Sequence, residues 1–275
     1  FYLMKNYAIG VFDSGMGGLT TVKELNSILP NENIIYFGDT ARIPYGSRSK
    51  ETILKYAKQD INFLKSHKIK MIIAACGTVS STVLSNPIED INTHFVGVVI
   101  PACKTACKIT KNKKVGIIGT PATIRSESYV TTIKSMDSSI EVLGVSCPMF
   151  VHLVENGYTN RDNVVTKIIA EEYLEPIKKF GADTLILGCT HYPIIKDIIA
   201  DILGDSVTLI SSGAEAGKYA KEYLTENNLL TDRTELGKNE FYVSDSIQLF
   251  EENAKNFLGD EIKGKVFKGD VHHLK

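Results

Sequence analysis

The stretches "KMIIAACGT" (residues 70–78) and "DTLILGCTH" (residues 183–191) decide how the chain is read. Each is an apolar run of strand length that gives way to a cysteine, with a threonine close behind. Cys76 and Cys189 are 113 positions apart, the spacing of one duplicated domain. A second pair keeps the same rhythm: "IGVFDSGMGGLT" (9–20) and "VGIIGTPATIRS" (115–126) both read as strand, small-residue turn and helix start.

Working outward, strands are predicted over 7–12, 33–38, 70–76, 94–100, 114–120, 141–147, 183–189, 207–212 and 239–245. Most are continuously apolar, as strands buried on both faces are, and amphipathic segments separate them. The clearest of these segments, 49–67, puts Ile53, Tyr56, Ala57, Ile61 and Leu64 on one helical face. Strands alternating with helices predict an α/β fold: doubly wound parallel sheets in two lobes related by a pseudo-two-fold duplication. The first lobe is expected over 1–97 plus 211–275 and the second over 98–210.

Composition narrows the function classes. Of the residues, 43% are hydrophobic and 23% charged, ordinary for a globular protein. Lys and Arg (31) balance Asp and Glu (32), so no positive field is available to hold a nucleic acid. The apolar runs fall far short of the roughly 20 residues that span a bilayer, so no membrane association is expected. The segment "FYLMKNYAIGVFDSG" lacks the features of a signal peptide, and Met4 reads as the natural start. Five widely spaced cysteines are an odd count that suits free thiols in a cytoplasm. Cys103, Cys107 and Cys147 read as packed thiols.

In open parallel sheets, ligands bind beyond the carboxyl ends of the strands. Here those ends carry Asp13 and Ser14, Cys76 with Gly77 and Thr78, Thr120, and Cys189 with Thr190 and His191. A thiol at a helix start meets free N–H groups and the helix dipole, which are expected to draw its pKa down from about 8.5. Two thiols at equivalent positions of a duplication suit an inversion, in which one group removes a proton and another delivers one to the opposite face. Ser14, Thr78, Thr120, Thr190 and helix-start amides could hold a substrate carboxylate. The loop "DTARIPYGSRS" (39–49) could close over substrate with Arg42, Pro44, Tyr45 and Gly46. Asp13 could cap a helix or tune a thiol, and His191 could assist Cys189 or serve structure alone. The turn "DSGMGG" matches no nucleotide-loop pattern, no lysine has a pyridoxal phosphate setting, and no complete set of metal ligands is evident. His67, His94, His152, His272 and His273 show no mutual spacing.

Together, "GVFDSGMGGLTTVKEL", "YFGDTARIPYGSRS", "AACGTVSS", "GVVIPA", "GIIGTPATI", "LVENG" and "LILGCTHYPII" resemble the cofactor-independent aspartate/glutamate racemase superfamily, its glutamate racemases in particular. The likeness covers roughly residues 7–245. It implies two flavodoxin-like lobes with the site between them, no cofactor, and commonly a homodimer. It also implies that a bacterial cytoplasm is supplied with D-glutamate for peptidoglycan. Carried over by position, Cys76 and Cys189 are the paired thiols, the first acting on the D-isomer and the second on the L-isomer. Asp13 assists Cys76, while His191 and Glu155 assist Cys189. The substrate-binding stretches map to Asp13, Ser14, Pro44, Tyr45, Gly46, Gly77, Thr78, Thr190 and His191, with hydroxyls from Thr120 and Thr123. Gly77 departs from the family's "CNT": the lost side-chain amide predicts weakened or altered turnover. Two rivals remain open, a thiol hydrolase using Cys189 and His191, and a silent glutamate-binding protein.

Overall fold

Two all-parallel sheets organise the computed structural model, which describes residues 2–89, 91–260 and 262–271. The strands are β1 (Ala8–Asp13), β2 (Ile34–Gly38), β3 (Ile69–Ala74), β4 (His94–Gly97), β5 (Lys114–Gly119), β6 (Glu141–Ser146), β7 (Thr184–Leu187), β8 (Thr208–Ser211), β9 (Asn239–Val243) and β10 (Gly264–Lys268). The first sheet has the order β10-β9-β2-β1-β3-β4 and the second β6-β5-β7-β8. Counted from its own first strand, the second sheet repeats the order of β2-β1-β3-β4. The duplication read from the two cysteine stretches is therefore visible in the topology.

Among the described residues, eleven α-helices cover the sheets: α1 (Leu19–Ile28), α2 (Lys50–Lys65), α3 (Gly77–Ser85), α4 (Val99–Ile109), α5 (Pro121–Arg125), α6 (Ser128–Met136), α7 (Met149–Glu155), α8 (Val164–Phe180), α9 (Lys196–Leu203), α10 (Ser212–Glu226) and α11 (Ile247–Leu258). The faces predicted from sequence are the buried ones: Ile53, Ala57, Ile61 and Leu64 of α2 pack with Phe12, Phe37 and Ile72 on one side of the first sheet. Every residue of β1 and β3 is buried, because helices lie on both faces. The other side of the first sheet joins the second in one core containing Ile9, Val11, Leu25, Leu185, Leu187, Phe241 and Phe250. Among the described residues no helix is long and apolar enough to cross a membrane.

One strand end and one whole strand depart from the sequence reading by more than small shifts at the ends. The strand predicted over 94–100 stops at Gly97, and the apolar residues that follow it open α4. β10 was not anticipated, since "GKVFK" is mostly polar; it is an edge strand with little of its surface buried. His272 and His273 lie outside the described residues.

One buried ion pair ties the sequence-distant parts of the first sheet together. Lys70 Nζ, at the start of β3, lies 2.5 Å from Glu32 Oε2 and donates to the carbonyls of Lys5 and Leu229. Glu32 Oε1 accepts the Thr231 N–H at 2.8 Å. Both side chains are essentially inaccessible to water, so removing one leaves the other charged and unpaired. Lys70→Ala is expected to cost about 3–5 kcal/mol in urea denaturation, the usual penalty for breaking a buried pair. A cost below about 1 kcal/mol, typical of a surface pair, would contradict this.

Candidate active site

Strand order reverses between β1 and β3 in the first sheet and between β5 and β7 in the second. Open sheets form their crevices at such points, beyond the carboxyl strand ends. Asp13 closes β1 and Cys76 follows β3 by two residues; Thr120 follows β5 and Cys189 follows β7, again by two. All four groups meet at the junction of the sheets. The cavity there has a volume of about 270 Å³. Of the residues singled out in the sequence, Ser14, Pro44, Tyr45, Gly46, Cys76, Gly77, Thr78, Thr120, Glu155, Cys189, Thr190 and His191 line it. Asp13 and Thr123 are not among the lining residues and are fully buried. A larger, shallower groove of about 900 Å³, lined by Ile91, His94, Tyr219 and Tyr223 among others, contains neither cysteine.

The Cys189 side is built as a relay. His191 Nδ1 lies 3.8 Å from Cys189 Sγ, and His191 Nε2 lies 3.1 Å from Glu155 Oε1. Burial opposes a charge on the imidazole, but its hydrogen bonds to Cys189 and Glu155 prevail and hold its pKa up to about 10. At neutral pH a cation therefore stands beside Sγ. The ring is fixed edge-on to Phe257 of α11, and Tyr192 next to it is anchored through its hydroxyl to the Cys147 carbonyl at 2.9 Å. Cys147, read as a packed thiol, is fully buried.

The Cys76 side is different. Cys76 caps α3 through its backbone, and its Sγ lies 3.5 Å from Ser14 Oγ. The expected fall in its pKa is not found. Burial pushes the thiol up to about 12, the nearby Asp13 adds to this, and hydrogen bonds from Ser14 and the Val79 N–H only partly offset them. The helix start is present, but loss of solvent and a neighbouring carboxyl outweigh it. Asp13 is itself raised, first by burial, against the pull of His191 and the N–H groups of Gly15 and Gly18. Its Oδ2 accepts from Gly15 N at 2.9 Å, while Oδ1 is buried without a hydrogen-bond partner.

Hydroxyls line the seam between the sheets. Thr78 Oγ1 is 2.9 Å from Thr120 Oγ1, which is 3.0 Å from Thr123 Oγ1. Thr20 of α1 donates to the Thr190 carbonyl at 3.0 Å. The glycine-rich turn is explained at this seam: a Cβ on Gly17 would lie 2.1 Å from Thr190 Oγ1 and 2.7 Å from the His191 ring. Gly77 faces a similar constraint. A Cβ there would lie 2.0 Å from the Gly188 carbonyl oxygen, so backbone of the second sheet occupies the space an asparagine would need. Gly77 is thus more than a missing amide, since it permits a close approach. His152, set aside in the sequence, lines the cavity, as do Gly15, Ile43, Ser47, Pro121, Pro148 and Val151. The available signal was its position three residues before Glu155 on α7, which puts both on one helical face.

Comparison with known proteins places the chain in a family and a fold. The family model described as Asp/Glu/Hydantoin racemase matches residues 9–220. The chain is 41% identical over 267 residues to a glutamate racemase of Geobacter metallireducens, covering 97% of this chain and 96% of that protein. It is 43% identical over 255 residues to one from Enterococcus faecalis, covering 92% and 93%. Among solved structures it is similar to a glutamate racemase isoform of Bacillus anthracis (TM-score 0.91, 36% identity, 97% and 98% covered). It is likewise similar to the Francisella tularensis glutamate racemase in complex with D-glutamate (TM-score 0.89, 40% identity, 98% and 99% covered).

Two stability measurements test the arrangement. Gly77→Asn is expected to destabilise by about 1–3 kcal/mol, as overpacking does, because Gly188 cannot yield its backbone position freely. A neutral or stabilising effect would show that the sheets do not meet there. A folded-state pKa above the unfolded value makes the His191 charge stabilising below pH ~6.5, with the benefit lost as pH rises toward about 10. The stability gap between the parent and His191→Asn should therefore shrink as pH rises through that window. A constant gap would contradict the raised pKa.

Proposed function

Because the chain belongs to the Asp/Glu/hydantoin racemase family and, within it, to the glutamate racemases, we propose that this cavity interconverts L- and D-glutamate by moving the α-proton between Cys189 and Cys76. The observation that carries the reading is the unlike setting of two thiols in equivalent positions. Cys189 has an imidazolium at its sulfur, backed by Glu155, and so has a compensating positive charge for a thiolate. Cys76 is held as a protonated thiol.

In the L-to-D direction, the Cys189 thiolate takes the proton from Cα and becomes a thiol. The electron pair left on carbon delocalises into the substrate carboxylate, giving a planar centre. Cys76 then donates its proton to the opposite face, which forms D-glutamate and leaves a thiolate at Cys76. Asp13, with its raised pKa and orphaned oxygen, is suited to returning a proton to that sulfur. The reverse direction runs these transfers backward from a Cys76 thiolate and a Cys189 thiol. Hydroxyls of Ser14, Thr78, Thr120 and Thr190 and the amides at the starts of α3 and α5 are suited to holding carboxylates. Thr123 supports Thr120, and the Pro44-Tyr45-Gly46 loop covers the cavity.

We take residues 1–97 with 211–275 as one lobe and 98–210 as the other, with the substrate between them. A homodimer in a bacterial cytoplasm, supplying D-glutamate for peptidoglycan, accompanies the family reading. Proton NMR of L-glutamate in D₂O tests the reaction. The parent is expected to remove the α-proton signal and generate D-glutamate, and Cys189→Ala and Cys76→Ala should each lower racemisation by at least about 10²-fold. Racemisation that survives Cys76→Ala would favour a single-thiol enzyme built on Cys189 and His191. Binding without exchange would leave a silent glutamate-binding protein.

A further inference from the structure

A buried cluster of six polar groups lies behind the loop that covers the cavity. Asp39, just after β2, and Asp60, in the middle of α2, are both fully buried, as is Tyr45. The Tyr45 hydroxyl contacts Asp39 Oδ2 and also lies 3.1 Å from Asp60 Oδ2. Arg42 reaches Asp39 Oδ2 through Nε at 2.5 Å, Asp60 Oδ1 through Nη2 at 2.9 Å, and Gln59 Oε1 through Nη1 at 2.5 Å. Ser244, after β9, donates its hydroxyl to Asp39 Oδ1 at 2.7 Å. The Arg42 guanidinium also stacks on Tyr56, 4.1 Å from the ring centroid.

Hydrogen counting fixes the protonation of this cluster. A phenol has one hydrogen, yet the Tyr45 oxygen faces two carboxyl oxygens. Asp39 accepts from three donors, Arg42, Ser244 and Tyr45, as an ionised carboxylate does. Asp60 has Arg42 on Oδ1, but among the described residues its Oδ2 faces only the phenol oxygen, whose hydrogen is already spent on Asp39. With both acids ionised, that last contact would be oxygen against oxygen with no proton between.

We infer that Asp60 is a neutral carboxylic acid whose Oδ2–H donates to Tyr45, making it a positioning residue that fixes the Pro44-Tyr45-Gly46 loop against the cavity. The proton runs in one sense, from Asp60 to Tyr45 and from Tyr45 to Asp39, with Arg42 closing the circuit. The electrostatic surroundings agree in direction. Burial raises Asp60 first, the charge of Asp39 adds to it and that of Asp13 does so weakly, while Arg42 pulls the other way, as would a hydrogen bond from Tyr45 if the phenol spent its hydrogen on Asp60 and not on Asp39. Tyr45 is one of the residues that line the cavity, so loss of the relay that holds it loosens a wall of the pocket.

The kinetic part of this inference rests on the proposed glutamate reaction; the protonation part does not. Asp60→Asn separates the possibilities because an amide can reproduce the neutral acid atom for atom. Its Oδ1 accepts from Arg42 and its Nδ2–H donates to Tyr45. Only the folded parent must keep the Asp60 proton as pH rises, so the melting temperature of Asp60→Asn relative to the parent should increase from about pH 5 to about pH 9. A relative melting temperature that stays level or falls over that range would mean an ionised Asp60 paired with Arg42, and would overturn the inference. In the racemisation assay at neutral pH, Asp60→Ala is expected to raise KM about five- to tenfold, the effect of one lost hydrogen bond, with a smaller change in kcat. Asp60→Asn should restore KM to within about twofold of the parent. An asparagine variant as impaired as the alanine variant would overturn the positioning role. A parent without racemase activity would sink the proposed reaction instead, and the pH-dependent melting result would stand independently.

Discussion

Close backbone approach between the two sheets is the constraint on which the rest of the molecule depends. At Gly17 the first sheet's turn passes so near Thr190 and His191 that a single added carbon would collide with both. At Gly77 the start of α3 meets the carbonyl of Gly188 in the same way. These contacts set the width of the cleft. They also fix the frame in which two sulfurs and an imidazole share one small cavity, with the Asp13 carboxyl buried beside it. A looser junction would admit water and separate these groups, and the proposed reaction needs them to face the same carbon.

The duplicated topology supplies the symmetry, and the surroundings then break it. Equivalent positions after β3 and β7 carry the two thiols, but what packs around them differs. On the Cys189 side the Glu155 carboxyl group and the His191 imidazole form a hydrogen-bonded relay that ends at the sulfur. On the Cys76 side burial and Asp13 favour the neutral thiol. Under the proposed reaction, one acid and one base are thereby assembled from two copies of the same amino acid. Environment, rather than residue type, assigns the roles.

Much of this was legible in the sequence, for identifiable reasons. Continuous apolar runs alternating with amphipathic ones revealed two parallel sheets, since each run reports its own burial. The paired cysteines revealed the duplication because strand ends keep their spacing through it. The edge strand β10 was hidden, as a polar edge has no apolar pattern to read. Properties that depend on two distant segments were also hidden. The pKa of Cys76 depends on burial that no local stretch records, and the meaning of Gly77 lies in the carbonyl of Gly188, 111 positions away. Asp60 was not singled out in the sequence, because its role depends on Tyr45, Asp39 and Arg42 being folded onto it. His152 could have been found from its spacing to Glu155, yet spacing alone says nothing about which face meets a cavity.

The central claim is geometric: the two sulfurs address opposite faces of one carbon. A crystal structure of this protein with glutamate bound measures that directly. The account requires Cα in the cavity at the sheet junction, with Cys76 Sγ on one side of it and Cys189 Sγ on the other, each within proton-transfer reach. Both sulfurs on one side of Cα, or glutamate seated elsewhere, would contradict it.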